Sequence, residues 1–242
     1  MLLNLENVSK AFKGLMAVHQ VTAELQEGAI LGLIGPNGAG KTTLFNLITG
    51  VFPPTAGKII FEGKDITKVA PHARCWMGIA RTFQLVRPFP ELSVLENAAM
   101  GRVYGRDPIR SRSRAEKASV ASLEIVGLAD RAHEKAKSLT LVDRKRLELA
   151  RALAAKPKLL LLDELLAGLN PSEVLVSMEL IKSIRDMGIT VIMVEHLVKA
   201  VFGMADRIVV LNAGELIAQG TPAEISCDQN VIDAYLGKSL HV

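Results

Sequence analysis

Cysteine is scarce in this chain. Cys75 and Cys227 are the only two among 242 residues, far apart and without C-x-x-C spacing. That pattern excludes a disulfide framework, suggests no zinc site and fits a reducing cytoplasm. Long apolar runs are missing as well, and none approaches the length a helix needs to cross a bilayer. The opening residues, Met1-Leu2-Leu3-Asn4-Leu5-Glu6, turn polar at once and lack the basic region and apolar core of a signal peptide. The expectation is a chain soluble by itself, with any membrane association peripheral. Net charge is only +4. This allows a basic patch facing lipid headgroups or an acidic partner, and it does not favour nucleic acid. There is no internal repeat. Apolar residues make up 49% of the chain, ample for a large core, so disorder is excluded and one α/β unit, with or without an inserted lobe, is expected.

What is present divides into three stretches. Residues 2–8 and 18–25 alternate apolar and polar side chains, as half-exposed antiparallel strands do, and 58–62 adds another strand before Gly63-Lys64-Asp65. Between Pro88 and Pro157 the spacing turns helical, in 93–100 and 121–126, without a clear strand. Continuous apolar strands return at 159–162, 189–194 and 207–211, with a helical segment from Ser172 to Met187 between the first two. Such strands alternating with helices predict a parallel sheet covered on both faces. The basic stretch Arg102, Arg106, Arg110, Arg112, Arg114 and Lys117 lies in the helical region; it reads as a solvated face or as a contact with lipid headgroups or a partner.

Gly35-Pro36-Asn37-Gly38-Ala39-Gly40-Lys41-Thr42-Thr43 fits G-x-x-x-x-G-K-[ST], the phosphate-binding loop of nucleoside-triphosphate hydrolases. An apolar strand candidate precedes it and a helix start follows, the context the motif requires. Its glycines let backbone N–H groups turn toward a β-phosphate, and the helix N-terminus adds partial positive charge. Lys41 is assigned to the β- and γ-phosphates and Thr42 to Mg²⁺. The dinucleotide fingerprint G-x-G-x-x-G does not fit, because Gly32, Gly35 and Gly38 are spaced by threes. Further on, Leu159-Leu160-Leu161-Leu162-Asp163-Glu164 is an apolar strand ending in two carboxylates. In a phosphate-loop protein the strand-end Asp163 anchors Mg²⁺ through a water, and Glu164 beside it orients or deprotonates the attacking water.

These residues, with Gln84 in Arg81-Thr82-Phe83-Gln84 and His196 in Val194-Glu195-His196, resemble the nucleotide-binding domains of ABC transporters over essentially the whole chain. The resemblance implies an α/β fold: a P-loop NTPase, RecA-like core with a mixed sheet, an antiparallel β subdomain and an inserted helical subdomain. It implies a single domain over 1–242, with 1–86 and 156–224 as nucleotide-binding core, 87–155 as helical subdomain and 225–242 as helical tail. It also implies ATP and Mg²⁺ as cofactors, with Gly35, Asn37, Gly38, Ala39, Gly40, Lys41, Thr42 and Thr43 around the phosphates. Gln84 becomes a sensor of Mg²⁺ and water that links the lobes, His196 the switch histidine at the γ-phosphate, and Phe12 the aromatic residue that stacks on adenine. Gly168, Leu169 and Asn170 match a loop that crosses to the opposite subunit, with Asn170 in place of the commoner Asp.

One motif departs from the family. Where Leu-Ser-Gly-Gly-Gln is expected, the chain reads Leu139-Thr140-Leu141-Val142-Asp143, followed by a family-like helix from Arg144 to Leu153. In the family this segment covers the γ-phosphate bound by the other subunit. Thr140 keeps a hydroxyl, and T-x-x-D with Asp143 also suits a simple helix cap. Val142 puts a branched side chain where backbone must approach phosphate. Asp143 adds negative charge; at roughly 5 Å and an effective dielectric of about 20 its repulsion is on the order of 3 kcal/mol before a neighbouring cation, Arg144, Lys145 or Arg146, offsets it. A weakened or remodelled half-site is expected, with an unlike partner supplying an ordinary signature.

A finer resemblance is to the ATPases of branched-chain amino-acid importers and related urea and amide uptake systems. It rests on the segment from Arg81 to Asn97, on 167–171 and on the tail Val231-Ile232-Asp233-Ala234-Tyr235-Leu236-Gly237. This implies a second ATP-binding subunit, unlike rather than identical although a homodimer is possible, two transmembrane permease subunits, an extracytoplasmic solute-binding protein, and a peripheral place on the cytoplasmic face of the inner membrane. The competing class is a soluble non-transport ABC ATPase or a regulatory nucleotide-binding subunit with little turnover.

Overall fold

Apolar alternation in the first strands is what pairs them, and the computed structural model, which describes residues 1–84 and 87–236, shows the pairing directly. Leu85, Val86 and 237–242 lie outside the described residues, and with them Gly237 of the tail motif and the expected lobe boundaries at 86 and 242. In chain order the strands are β1 (Leu3–Phe12), β2 (Leu15–Leu25), β3 (Ile30–Ile34), β4 (Ala56–Phe61), β5 (Lys64–Asp65), β6 (Ile79–Arg81), β7 (Leu159–Asp163), β8 (Thr190–Val194), β9 (Arg207–Asn212) and β10 (Glu215–Gly220). The helices are α1 (Lys41–Ile48), α2 (Pro71–Met77), α3 (Val94–Tyr104), α4 (Arg112–Ile125), α5 (Leu141–Ala154), α6 (Pro171–Asp186), α7 (Val198–Met204), α8 (Pro222–Ser226) and α9 (Gln229–Leu236).

Two sheets result. One is antiparallel, in the order β2-β1-β4-β5; the other runs β10-β9-β3-β8-β7-β6. Within the second sheet β9, β3, β8, β7 and β6 are parallel, and only β10 is antiparallel to its neighbour. The strand at 207–211 therefore does not end the set: β10 pairs back on it through the turn at Ala213 and Gly214. Every residue of β3, β7 and β8 is buried, as strands covered on both faces must be.

Alternation along β7 assigns its side chains to two cores. Leu159 and Leu161 face the space between the sheets, with Leu5, Leu33, Phe45 and Phe61. Leu160 and Leu162 face the other side, with Leu147 and Leu153 of α5 and Ile181 of α6. Between 94 and 154 the described elements are helical, α3, α4 and α5 packing on one another. α3 starts in a capping box, Ser93 with Glu96, and α6 in another, Asn170 with Glu173.

The helix behind the phosphate loop is held by a buried cation. Arg74 is 1% exposed and donates to the Leu47, Ile48, Ile66, Thr67 and Val69 carbonyls, the first two at the end of α1. Burial pushes its pKa down to about 10, so it stays charged at neutral pH and complements the helix C-terminus. Because the parallel strands point the same way, the segments after β3, β6, β7 and β8 gather at one edge of the sheet, where open α/β sheets bind ligands. Among the described residues no helix is long and apolar enough to cross a membrane.

Candidate functional site

The phosphate loop leaves β3 at Gly35 and enters α1 at Lys41. Two glycines are required by contact as well as by conformation. Gly35 has φ 150°, and a Cβ there would lie 2.1 Å from the Leu211 carbonyl oxygen; Gly40 has φ 100°, and a Cβ there would lie 2.4 Å from the Ala17 carbonyl oxygen. The loop is thus pressed between β9 and the β1–β2 hairpin. Asn37 and Gly38 are exposed, Ala39 is buried, and Thr42 and Thr43 open to solvent at the start of the helix. Lys41 is 7% exposed, and its Nζ donates to the Gly35 and Pro36 carbonyls at 2.7 and 3.0 Å. Burial lowers its pKa and the Glu164 carboxylate acts against that shift. Phe12 stands near the tip of the hairpin that abuts Gly40, edge-on to Phe52 at 5.3 Å between centroids.

At the end of β7 the two carboxylates meet different surroundings. Asp163 is 4% exposed; its Oδ2 accepts from Arg81 Nη2 at 2.6 Å and its backbone N–H donates to Thr82 Oγ1. Glu164, one residue on, has left the strand with φ 50°, a left-handed conformation costly for a residue with a side chain. That turn aims its carboxylate between the segments that follow β6 and β8. Gln84 Nε2 donates to Oε2 at 2.6 Å, and His196 Nε2 lies 2.8 Å from Oε1. Gln84 and His196, separate from Glu164 in the sequence, therefore converge on its carboxylate.

Thr42, Gln84 and Asp163 line one cleft of about 920 Å³, together with Arg81 and Phe83. A hydroxyl, an amide and a carboxylate are oxygen donors suited to a hard divalent cation. Among the described residues no group of three His, Cys, Asp or Glu could hold a metal. The donors here fit an ion that completes its shell with phosphate oxygens and water, as Mg²⁺ does in nucleotide sites.

The altered signature closes on itself. Thr140 is the N-cap of α5, its Oγ1 accepting from the Asp143 backbone at 3.2 Å and donating to Asp143 Oδ2 at 2.8 Å. The charge of Asp143 is met by Arg131 Nη1 at 2.6 Å, with Arg146 farther off at 3.8 Å. Of the three cations expected to offset it, Arg146 does pair with Asp143, but the shorter contact comes from Arg131. Arg144 donates instead to the Lys137 carbonyl, and Lys145 is buried, its Nζ bonded to the Glu164, Leu165 and Ala167 carbonyls. α5 is in this way tied to the loop after β7. Leu139 is buried, Val142 half-buried and Leu141 exposed, the last near Gly168, where a Cβ would be 3.7 Å from its Cδ2. Gly168 has φ 75°, Leu169 is half-buried, and Asn170 uses its Oδ1 to cap α6.

The basic stretch does not form one face. Arg102 is 4% exposed and donates to the Arg106 and Asp107 carbonyls, and Arg112 pairs with Glu96 and Glu116; Arg110, Arg114 and Lys117 are exposed. Four functional contacts escaped the sequence reading: Arg81 on Asp163, Arg131 on Asp143, Lys145 under the loop after β7, and Glu195. Glu195 is 3% exposed and accepts from the Leu166 N–H at 2.9 Å, and burial pushes its pKa up to about 7. Only its position beside His196 marked it.

Comparison with known proteins agrees with this geometry. The family model described as "ABC transporter" matches residues 18–167, and that described as "Branched-chain amino acid ATP-binding cassette transporter" matches 215–241. The chain is 41% identical to the high-affinity branched-chain amino acid transport ATP-binding protein LivG of Salmonella typhimurium, over 98% of both chains. It is 38% identical to the lipopolysaccharide export system ATP-binding protein LptB of Escherichia coli K12, over 99% of both. Among solved structures, the ADP conformation of the ATP-binding cassette MJ1267 superposes with a TM-score of 0.87 at 31% identity, over 98% of both chains. A dimeric post-hydrolysis cassette, MJ0796 bound to ADP and Pi, gives 0.81 at 26% identity, over 91% of this chain and 98% of that one.

Proposed function

The chain belongs to the ABC transporter family of ATP-binding proteins, and from that premise we propose that it binds and hydrolyses ATP to energise an importer of branched-chain amino acids or related small solutes. The single observation that carries the reading is the meeting of Gln84 and His196 on Glu164, beside Lys41 and Asp163. In this reading Phe12 stacks on adenine, the N–H groups of Gly38 to Thr43 surround the phosphates, and Lys41 turns from the Gly35 and Pro36 carbonyls to the β- and γ-phosphates. Thr42, Gln84 and, through a water, Asp163 hold Mg²⁺. Mg²⁺ bound there would supply neutralisation of the phosphate charge.

Glu164 is the base. Its carboxylate orients the attacking water and takes a proton from it, while Gln84 and His196 fix the two oxygens and let one go as the water enters. With its proton on Nε2, His196 donates to Oε1 and is free to donate to the γ-phosphate instead. His196 and Gln84 come from the ends of different strands, so the base is assembled only when β6, β7 and β8 are in register.

Partners follow from the half-sites. The sequence from Thr140 to Asp143 is engaged with its own loop, which supports an unlike second ATP-binding subunit carrying an ordinary signature; the loop from Gly168 to Asn170 contacts that subunit. Two transmembrane permease subunits dock on the helical side near Gln84, an extracytoplasmic binding protein delivers the solute, and the chain sits peripherally on the cytoplasmic face of the inner membrane. Import, rather than the export named for LptB, is supported by the tail match at 215–241 and by the resemblance to LivG. The test is reconstitution of the chain with its permeases and second ATPase in liposomes, with binding protein and labelled leucine on the far side. Uptake that requires ATP and is abolished by Lys41→Ala is expected. ATP turnover that responds to lipopolysaccharide and not to the amino acid would overturn the import reading.

A further inference from the structure

Among the described residues, Arg81 is the one cation that touches the carboxylate assigned to the nucleotide's divalent ion. Its Nη2 bonds Asp163 Oδ2 and its Nη1 bonds Asn46 Oδ1 on α1, each at 2.6 Å. Side-chain exposure is 8% for Arg81 and 5% for Asp163, so this is a pair removed from solvent. The guanidinium is held between two rings, Phe45 at 5.5 Å and Phe83 at 5.2 Å. Among the described residues its Nε is buried without a hydrogen-bond partner. Arg81, Asp163 and Thr42 line the same cleft.

A buried ion pair is weak evidence for stability, and this one engages the carboxylate at the end of β7. We propose that Arg81 is a built-in counter-cation of Asp163 that competes with the nucleotide's Mg²⁺, so that ion binding requires the guanidinium to share or release this carboxylate. The inference rests on the reading of Thr42 and Asp163 as the Mg²⁺ site. Among the described residues only Oδ2 carries a side-chain donor, which leaves Oδ1 for the water that reaches the ion. A guanidinium on one oxygen and a divalent ion beyond the other repel each other through a short, partly desolvated distance. Asn46 sets the balance, because it is the other acceptor on which Arg81 rests. Arg81 is therefore a positioning residue: it holds Asp163 oriented and paired before nucleotide arrives, and it sets the Mg²⁺ concentration at which the site fills.

The two anchors predict shifts of opposite sign. On the purified full chain, binding of a fluorescent ATP analogue is titrated with Mg²⁺, and bound Mn²⁺ is counted by electron paramagnetic resonance. Arg81→Met lowers the half-saturating Mg²⁺ concentration by about fivefold or more, and Arg81→Lys leaves it within about twofold. Asn46→Ala, which leaves Asp163 as the only side-chain acceptor of Arg81, raises it. Affinity for the analogue in EDTA does not increase in any of the three, which separates the effect from a general change in nucleotide binding. An unchanged or raised requirement in Arg81→Met overturns the proposal; should that variant fail to fold, an unchanged or lowered requirement in Asn46→Ala does so. If the wild-type chain binds nucleotide without any dependence on divalent ions, the reading of the site itself fails, and that outcome is distinct from variants that all behave as wild type.

Discussion

The ends of β7 and β8 and the start of α5 both carry acidic residues beside cations, yet they use them in opposite ways. At the strand ends Glu164 reaches out of a left-handed turn to Gln84, which lines the cleft, and to His196, both of which follow other strands. At the helix start Asp143 folds back on Thr140 and Arg131, within its own lobe. The first arrangement is open to a reactant; the second is already satisfied. In the proposed reading, this difference makes the chain a complete acceptor of nucleotide and a poor donor of the segment that covers a partner's nucleotide.

Breaking the open half has the largest effect. Glu164→Gln keeps the shape and the bond from Gln84 but removes the base, so turnover falls about 10²- to 10⁴-fold while ATP binding persists. Steady-state hydrolysis together with nucleotide retention checks this; turnover within a few fold of wild type removes Glu164 from the role.

The floor beneath that half responds to pH. Between the ordinary value of 4.5 and about 7, the folded chain keeps a proton on Glu195 that the unfolded chain has lost. Stability therefore falls as pH rises through that window and levels off above it, by up to roughly 3 kcal/mol. Urea midpoints measured from pH 4.5 to 8 are expected to lose this slope in Glu195→Gln. An identical slope in the variant contradicts the account.

The link between the halves comes next in size. Lys145 reaches from α5 to three carbonyls after β7, and burial lowers its pKa. Lys145→Met leaves those carbonyls without their donor and costs about 2 kcal/mol in chemical unfolding, with a loss of hydrolysis larger than the loss of nucleotide binding. A variant as stable and as active as wild type would show that the two halves are not joined through this residue.

Much of this was legible in the sequence, for a reason that varies by element. The phosphate loop and Asp163-Glu164 are local: a strand, a turn chemistry and a helix start within a few residues, each fixed by backbone demands such as those at Gly35 and Gly40. The antiparallel strands showed in their alternation. β6 and β10 did not, the first being three residues long and the second interrupted by an irregularity in its pairing with β9. The partners of the charged side chains were not legible. Of the cations that follow Asp143, helical geometry turns Lys145 into the core and Arg144 back to Lys137 and leaves Arg146 at 3.8 Å, while the cation that hydrogen-bonds Asp143 comes from twelve residues away. Arg81 was visible only as part of a motif, because its acceptor is separated from it by 82 residues.

The central claim is the asymmetry of the two halves, and ATP turnover by the purified chain alone, wild type against the double variant Val142→Gly with Asp143→Gln, tests it most directly. Slow turnover that rises about tenfold or more when the signature is restored is the predicted result. Brisk hydrolysis by the wild-type homodimer, unchanged by the double variant, would contradict it.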